Sequence, residues 1–215
     1  MKISKRLNTI ASFIKNKSNV VDIGCDHAYL DIYLTINKNC KCIACDINEN
    51  ALNNAKKNIK HYDLIDKIET KLTDGINGIN IKKTDTIVIS GMGTNTIIHI
   101  LSNKKLSNNI IISSNNDIEK LRLFMMSINY YIFNEKFILD NNKPYIIINF
   151  KKGNKKYSKF EYKFGPICLK DKEYLDYCIK KIKYIKSKIP NKYISRKLYL
   201  RYLIYKLKRE LKKLI

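Results

Sequence analysis

The sequence predicts an α/β fold, a doubly wound parallel sheet followed by a pair of antiparallel helices. Three observations carry that reading. Short β-branched apolar runs alternate with segments whose apolar residues recur at helical spacing. Four of the runs end in an acid or a glycine. The alternation stops near residue 153 and gives way to two long, lysine-rich helical stripes.

Ile3, Leu7, Ile10, Ala11 and Ile14 fit a helix over residues 3–15. Val20, Val21 and Ile23 make a first strand over 19–23, and a helix follows its loop from Ala28 to Leu34. Cys42, Ile43, Ala44 and Cys45 form a second strand ending at Asp46. Ala51, Leu52, Ala55 and Ile59 predict a helix over 50–60. A short strand at Ile68–Leu72 precedes the loop Thr73-Asp74-Gly75. The run Thr86–Ser90 precedes Gly91-Met92-Gly93, and a helix takes Ile97 to Leu101. Ile110–Ile112 is a fifth strand and Ile118–Met126 a helix. The β-rich runs Tyr131–Leu139 and Tyr145–Phe150 flank a turn and predict an edge hairpin.

Lys151–Lys156 reads as a linker, which places a first domain at 1–153 and a second at 154–215. In the second, Leu175, Cys178, Ile179, Ile182, Ile185 and Ile189 are helically spaced up to Pro190, which stops the helix. Leu200, Leu203, Ile204, Leu207, Leu211 and Leu214 continue the pattern to the C-terminus. Two antiparallel helices would bury these stripes against each other and leave the lysines outward.

Composition bounds the function. The chain has 215 residues and a formal charge of +23. Lys, Asn, Ile and Tyr are abundant and only five of the 42 basic residues are arginine, a bias that AT-rich coding sequence produces without selection for charge. The distribution of charge says more. Residues 154–215 hold 20 basic and 5 acidic residues, net +15, against +8 for 1–153. A short segment carrying most of the charge reads as a phosphate-contacting surface. No apolar run approaches the roughly 20 residues of a membrane span, and the N-terminus lacks the apolar block of a signal peptide. A cytoplasmic protein with no membrane association is expected. Cys40, Cys42 and Cys45 lie within a strand with no second cluster to complete a zinc set, so the six cysteines read as reduced thiols and no metal is expected. A monomer is the expected state.

The turn Asp22-Ile23-Gly24-Cys25-Asp26 lacks the second and third glycines of a dinucleotide loop, and the Asp26 carboxylate would repel a pyrophosphate. A cationic nucleoside suits it better, and S-adenosylmethionine, with a sulfonium and an ammonium against one carboxylate, is such a ligand. Ligands of open α/β sheets bind beyond the carboxyl ends of the strands. Asp22, Gly24, Cys25 and Asp26 fall there after strand one, Asp46, Ile47 and Asn48 after strand two, and Asp74 and Gly75 after strand three. Ser90, Gly91, Met92 and Gly93 fall there after strand four. Each set also has a plain reading as a turn or a helix cap. Asp46 is placed to accept both ribose hydroxyls, Asp74 an adenine amino group, and Gly24 to admit the methionine moiety. Ser90–Gly93 is placed to present an acceptor.

The strings Asp22-Ile23-Gly24-Cys25-Asp26-His27-Ala28-Tyr29-Leu30, Ile89-Ser90-Gly91-Met92-Gly93, Phe164-Gly165-Pro166 and Arg6-Leu7-Asn8-Thr9-Ile10-Ala11 resemble the bacterial TrmK family, tRNA (adenine(22)-N(1))-methyltransferases. The resemblance implies a Rossmann-like class I methyltransferase domain, a coiled-coil-like C-terminal domain that helps hold tRNA, and methylation of adenine N1. The chain departs from the usual family pattern at Asp31 (Pro), Thr94 (Gly) and Ser113-Ser114 (Gln-Pro), while Asn115 carries over. In this reading Asp26, and secondarily His27, are the catalytic candidates, supplying a negative field or a proton acceptor beside the adenine. Tyr29, Met92, Gly93 and Asn115 are the acceptor-site candidates. Two other readings stay open: a methyltransferase with another acceptor, and an RNA-binding protein with a degenerate, non-catalytic Rossmann domain.

Overall fold

Seven strands, β1 (Asn19–Ile23), β2 (Lys41–Asp46), β3 (Ile68–Leu72), β4 (Thr86–Met92), β5 (Asn109–Ser114), β6 (Tyr130–Asp140) and β7 (Lys143–Lys152), form one sheet in the order β3-β2-β1-β4-β5-β7-β6. The first five are parallel; β7 runs antiparallel to both β5 and β6. This is the doubly wound sheet with an antiparallel hairpin that the sequence predicts, the last strand being inserted between β5 and β6. The computed structural model describes residues 1–102 and 104–214. It divides into two compact units, Met1–Lys156 and Tyr157–Ile215.

Five helices belong to the first unit: α1 (Lys5–Ser12), α2 (Tyr29–Lys38), α3 (Glu49–His61), α4 (Thr94–Leu101) and α5 (Ile118–Ser127). Side chains alternate across a strand, so each buried strand serves two layers. Val88 of β4 and Ile111 of β5 pack in one cluster with Ile10 of α1, Ile32 of α2 and Ala55 of α3. Ile87, Ile89, Ile110 and Ile112, equally buried, point to the other face. The ends of α1 are set by the Ser4 hydroxyl accepting from the Leu7 amide and by the cap at Phe13, inside the 3–15 limits that spacing suggests. Ala28 has a left-handed backbone and precedes α2 rather than opening it.

A buried ion pair joins α5 to β6. Arg122 and Glu135 meet at 3.0 Å with both side chains fully buried. Removing one charge leaves the other less well compensated in a low-dielectric interior. Glu135→Gln keeps the volume and an acceptor but takes the formal negative charge out of this contact. It is expected to lower the unfolding free energy by about 2 kcal/mol, read by urea denaturation; an unchanged midpoint would show the pair to be neutral.

The second unit holds α6 (Lys159–Phe164), a 3-10 turn at Cys168–Lys170, α7 (Lys172–Lys188) and α8 (Ile194–Lys212). Ser158 and Glu161 form a reciprocal capping box that starts α6. Helices α7 and α8 pack together, and the short 189–193 link turns the chain back. Leu175, Cys178, Ile179, Ile182, Leu203 and Leu207 are buried between such faces, whereas Ile185 and Leu214, at the ends of the stripes, are exposed. No helix among the described residues is long and apolar enough to cross a membrane. All six cysteines are buried thiols, and no group of three metal-ligating side chains gathers among the described residues.

Candidate active site

The strand order reverses between β1 and β4, which opens a crevice at their carboxyl ends. Backbone and carboxylate bonds tie three loops together there. The Gly24 and Cys25 amides both donate to the Cys45 carbonyl, at 2.8 and 2.9 Å. The Asp26 amide donates to the Asp46 carboxylate at 3.2 Å, and the Asn48 amide to its other oxygen at 2.9 Å. The Thr73 amide donates to the Asp46 carbonyl at 2.9 Å, drawing the Asp74-Gly75 loop against the end of β2. Asn48 then caps α3 through its side-chain oxygen.

Gly24 has φ +76°, and the terminal methyl of Met92 lies where a Cβ would project, so the β1 and β4 loops touch at this point. Gly91 has φ +83° and sits in a bulge of β4 opposite Ser113 and Ser114. Asn115 holds that bulge: its side-chain amide donates to the Gly91 carbonyl at 2.8 Å and its backbone amide to the Met92 carbonyl at 2.9 Å. Gly93 caps α4. Thr94 is buried and its hydroxyl donates to the Asn116 carbonyl at 2.6 Å. Ser113 and Ser114 are both buried, so their hydroxyls line no open surface.

Asp26 and His27 project outward. Their side chains are 72% and 42% exposed, with the imidazole Nε2 3.6 Å from the carboxylate. The His27 ring stacks on Tyr29, itself 44% exposed. Cys25 is buried, and both burial and the surrounding acids push its thiol far up, so it is inert and offers only its backbone. Cys45 is pushed up to about 12, first by burial. Ile47 and Asp74 are exposed at the rim.

Asp22 lies under this surface, 4% exposed. Burial raises its carboxyl to about 7 against the lowering effects of Asp31 and Arg6. Arg6 is a residue that spacing does not single out. Its backbone amide donates to the Asp140 carboxylate at 3.0 Å, its guanidinium lies 5.5 Å over the Tyr145 ring, and one Nη stands 3.5 Å from the position of a Cβ on Gly91. It reaches the crevice from α1, and its place beside Gly91 follows from the fold rather than from the Arg6–Ala11 motif that contains it. A separate cavity of about 480 Å³ lies at the opposite, amino ends of the strands, lined by Val20, Cys42, Lys67, Lys82 and Asp85, away from these loops.

Residues 3–148 match the family described as a methyltransferase domain. The tRNA (adenine(22)-N(1))-methyltransferase of Bacillus subtilis (strain 168) is 31% identical over 160 residues, covering 72% of this chain and 67% of the relative. The chain belongs to the TrmK family. A Mycoplasma genitalium protein named for tRNA methylation is 34% identical over 184 residues, 80% of this chain and 83% of its own length. The structure of M. capricolum TrmK in complex with S-adenosyl-homocysteine, its natural cofactor product, has 33% identity and a TM-score of 0.85 and covers 100% of both chains. The TrmK fold, with its seven-stranded sheet and helical C-terminal unit, thus spans the full chain.

Proposed function

We infer that the chain transfers a methyl group from S-adenosylmethionine to N1 of adenosine 22 in tRNA. The observation that carries this reading is the convergence of the Gly24 turn, Asp46 and the Gly91–Gly93 bulge on one crevice, in a chain of the TrmK family. The crevice fits the cofactor: glycines with positive φ clear the β1 and β4 loops, and the acids gathered around them suit a cation better than a phosphate. Asp46 would hold the ribose, Gly24 and Cys25 the methionine end, Asp74 and Gly75 the adenine, with Ile47, Asn48, Ser90 and Gly91 bounding the pocket. When bound, S-adenosylmethionine supplies an electrophilic methyl group.

The residues of the chain then have to place adenine N1 in line and tolerate a positive charge on the base. Adenine N1 carries an in-plane lone pair, so alignment supplies much of the rate. The stacked His27–Tyr29 pair offers an aromatic face on which an unstacked base can rest, with Met92 and Gly93 as further contacts and Asn115 holding the Gly91 and Met92 carbonyls. Asp26 contributes the negative field that stabilises the methylated, cationic adenine; exposed to water its field is weak, and it strengthens once the base covers it. Residues 1–153 form the methyltransferase domain and the basic 154–215 segment contacts tRNA. That substrate makes the cytoplasm the site of action, with the chain acting as a monomer.

The test is incubation with transcribed tRNA and S-adenosylmethionine, followed by nucleoside mass spectrometry. 1-Methyladenosine is expected in tRNA carrying A22 and absent when position 22 is changed to G. Cofactor turnover without 1-methyladenosine would remove the acceptor assignment.

A further inference from the structure

With the cofactor at the ends of β1, β2 and β3, the nucleotide that receives the methyl group is left with the ends of β4 and β5. Residues 91–94 and 114–117 meet there, and Thr94 ties them together at two points. Its backbone amide donates to Asn116 Oδ1 at 2.9 Å, and its hydroxyl donates to the Asn116 carbonyl at 2.6 Å. The Ser114 hydroxyl lies 2.8 Å from that of Thr94 and 3.0 Å from the same carbonyl, which braces the threonine from behind. Thr94 and Ser114 are 1% and 5% exposed, whereas Asn116 stands at the surface.

The direction of the Asn116 carboxamide follows from these bonds. A backbone N–H can only donate, so the carboxamide oxygen faces Thr94 and the NH2 group faces away from it. Gly93, the N-cap of α4, makes no side-chain cap bond, and Asn116 Oδ1 supplies an acceptor to the helix start from the β5 side. The NH2 group is the part that this cap presents outward. It lies 3.7 Å from where a Cβ on Gly93 would project, and it donates to nothing among the described residues.

We propose that Asn116 is a further acceptor-binding residue, donating a carboxamide N–H to a lone pair of the target nucleotide, and that Thr94 is the positioning residue that aims it. This rests on the reading of the crevice as a site for S-adenosylmethionine and a tRNA adenine. The bond is made to a lone pair other than that of N1, so N1 stays free in front of the methyl group. A carboxamide already held at its oxygen and at its backbone carbonyl has little rotamer freedom left to lose when the nucleotide arrives. The hydroxyl half of the lock belongs to this chain's own residues. Thr94 and Ser114 stand where the usual TrmK pattern has Gly and Pro, neither of which carries a hydroxyl.

Methylation kinetics on transcribed tRNA at saturating S-adenosylmethionine test both roles. Asn116→Ala is expected to lower kcat/KM for tRNA about tenfold, with cofactor affinity within about twofold of wild type. Thr94→Val keeps the shape and removes the hydroxyl, and is expected to cost about fivefold; Thr94→Ser, which keeps the hydroxyl, should restore most of that loss. In the Asn116→Ala background Thr94→Val is expected to cost nothing further, because the threonine acts through the asparagine. Losses that multiply in the double variant overturn the positioning role, and wild-type kcat/KM in Asn116→Ala overturns the contact.

A residue that only caps α4 would change the melting temperature and leave the carboxamide N–H groups in water, so their NMR signals decide between the two roles. The full chain is labelled with nitrogen-15 asparagine and saturated with S-adenosyl-homocysteine, and the Asn116 side-chain signals are assigned by their loss in Asn116→Ala. On addition of tRNA they are expected to shift and to exchange more slowly with water. Signals that stay in place while tRNA binds overturn the proposal. If Thr94→Val does not fold, Asn116→Ala at its exposed position and this spectrum still decide. Wild type that binds tRNA but forms no 1-methyladenosine fails the reaction reading itself, and the carboxamide signals then judge the contact on their own.

Discussion

Asp46→Ala is expected to weaken S-adenosylmethionine binding at least about a hundredfold while leaving the fold intact. Two ribose hydroxyls bonded to one carboxylate are charge-assisted contacts of about 1.5–3 kcal/mol each, so their joint loss costs about 3 kcal/mol or more. The fold survives because β2 keeps its parallel ladder to β1 and the Cys45 carbonyl keeps the Gly24 and Cys25 amides. The side chain does have a second duty, since it accepts from the Asp26 and Asn48 amides. A loosened turn and a lost ribose contact would both lower affinity, and a 2′-deoxy analogue of the cofactor separates them. Wild type should prefer the parent cofactor, and Asp46→Ala should lose most of that preference, as a double-mutant cycle detects. Equal losses for both ligands would make Asp46 a loop brace, and unchanged affinity would remove it from the site.

The sheet was legible because its inner strands are covered on both faces and therefore read as unbroken apolar runs, each ending in a residue that water-facing loops tolerate. Gly24, Asp46, Asp74 and Gly91 were legible for the same reason: they sit where an apolar run stops. Groups defined by tertiary contact were not. Asp31 shows in sequence as an acid where the TrmK pattern has Pro, and its complete burial depends on how α2 packs against the sheet. Arg6 meets Gly91 through the fold alone. Arg122 and Glu135 look like surface charges until α5 and β6 close over them. Helix α6 is six residues long, too short for periodicity to reveal, and its capping box is the signal that could have found it. The outer ends of the α7 and α8 stripes were over-read, because spacing cannot tell a buried leucine from one beyond the last packed turn.

Reversing three charges on α8 should weaken tRNA binding about a hundredfold at moderate salt, the larger effect lying in the salt dependence. Arg201, Lys208 and Lys212 are exposed and lie with Tyr205, itself 60% exposed, on one helical face. Every phosphate neutralised releases counterions, so losing three such contacts should reduce the slope of log affinity against log salt by about 2 to 3. Exposed charges contribute little to folding, so the melting temperature and the cofactor affinity of the triple Glu variant should stay near wild type. Tyr205→Ala tests a different physics on the same face. Stacking on an unpaired base is worth about 1–3 kcal/mol and involves no counterions, so this variant should lower affinity with the salt slope unchanged. Filter binding or fluorescence anisotropy across a salt series distinguishes the two. Wild-type affinity and slope in the charge-reversed chain would mean that the lysines of this helix reflect coding bias and that tRNA is held elsewhere.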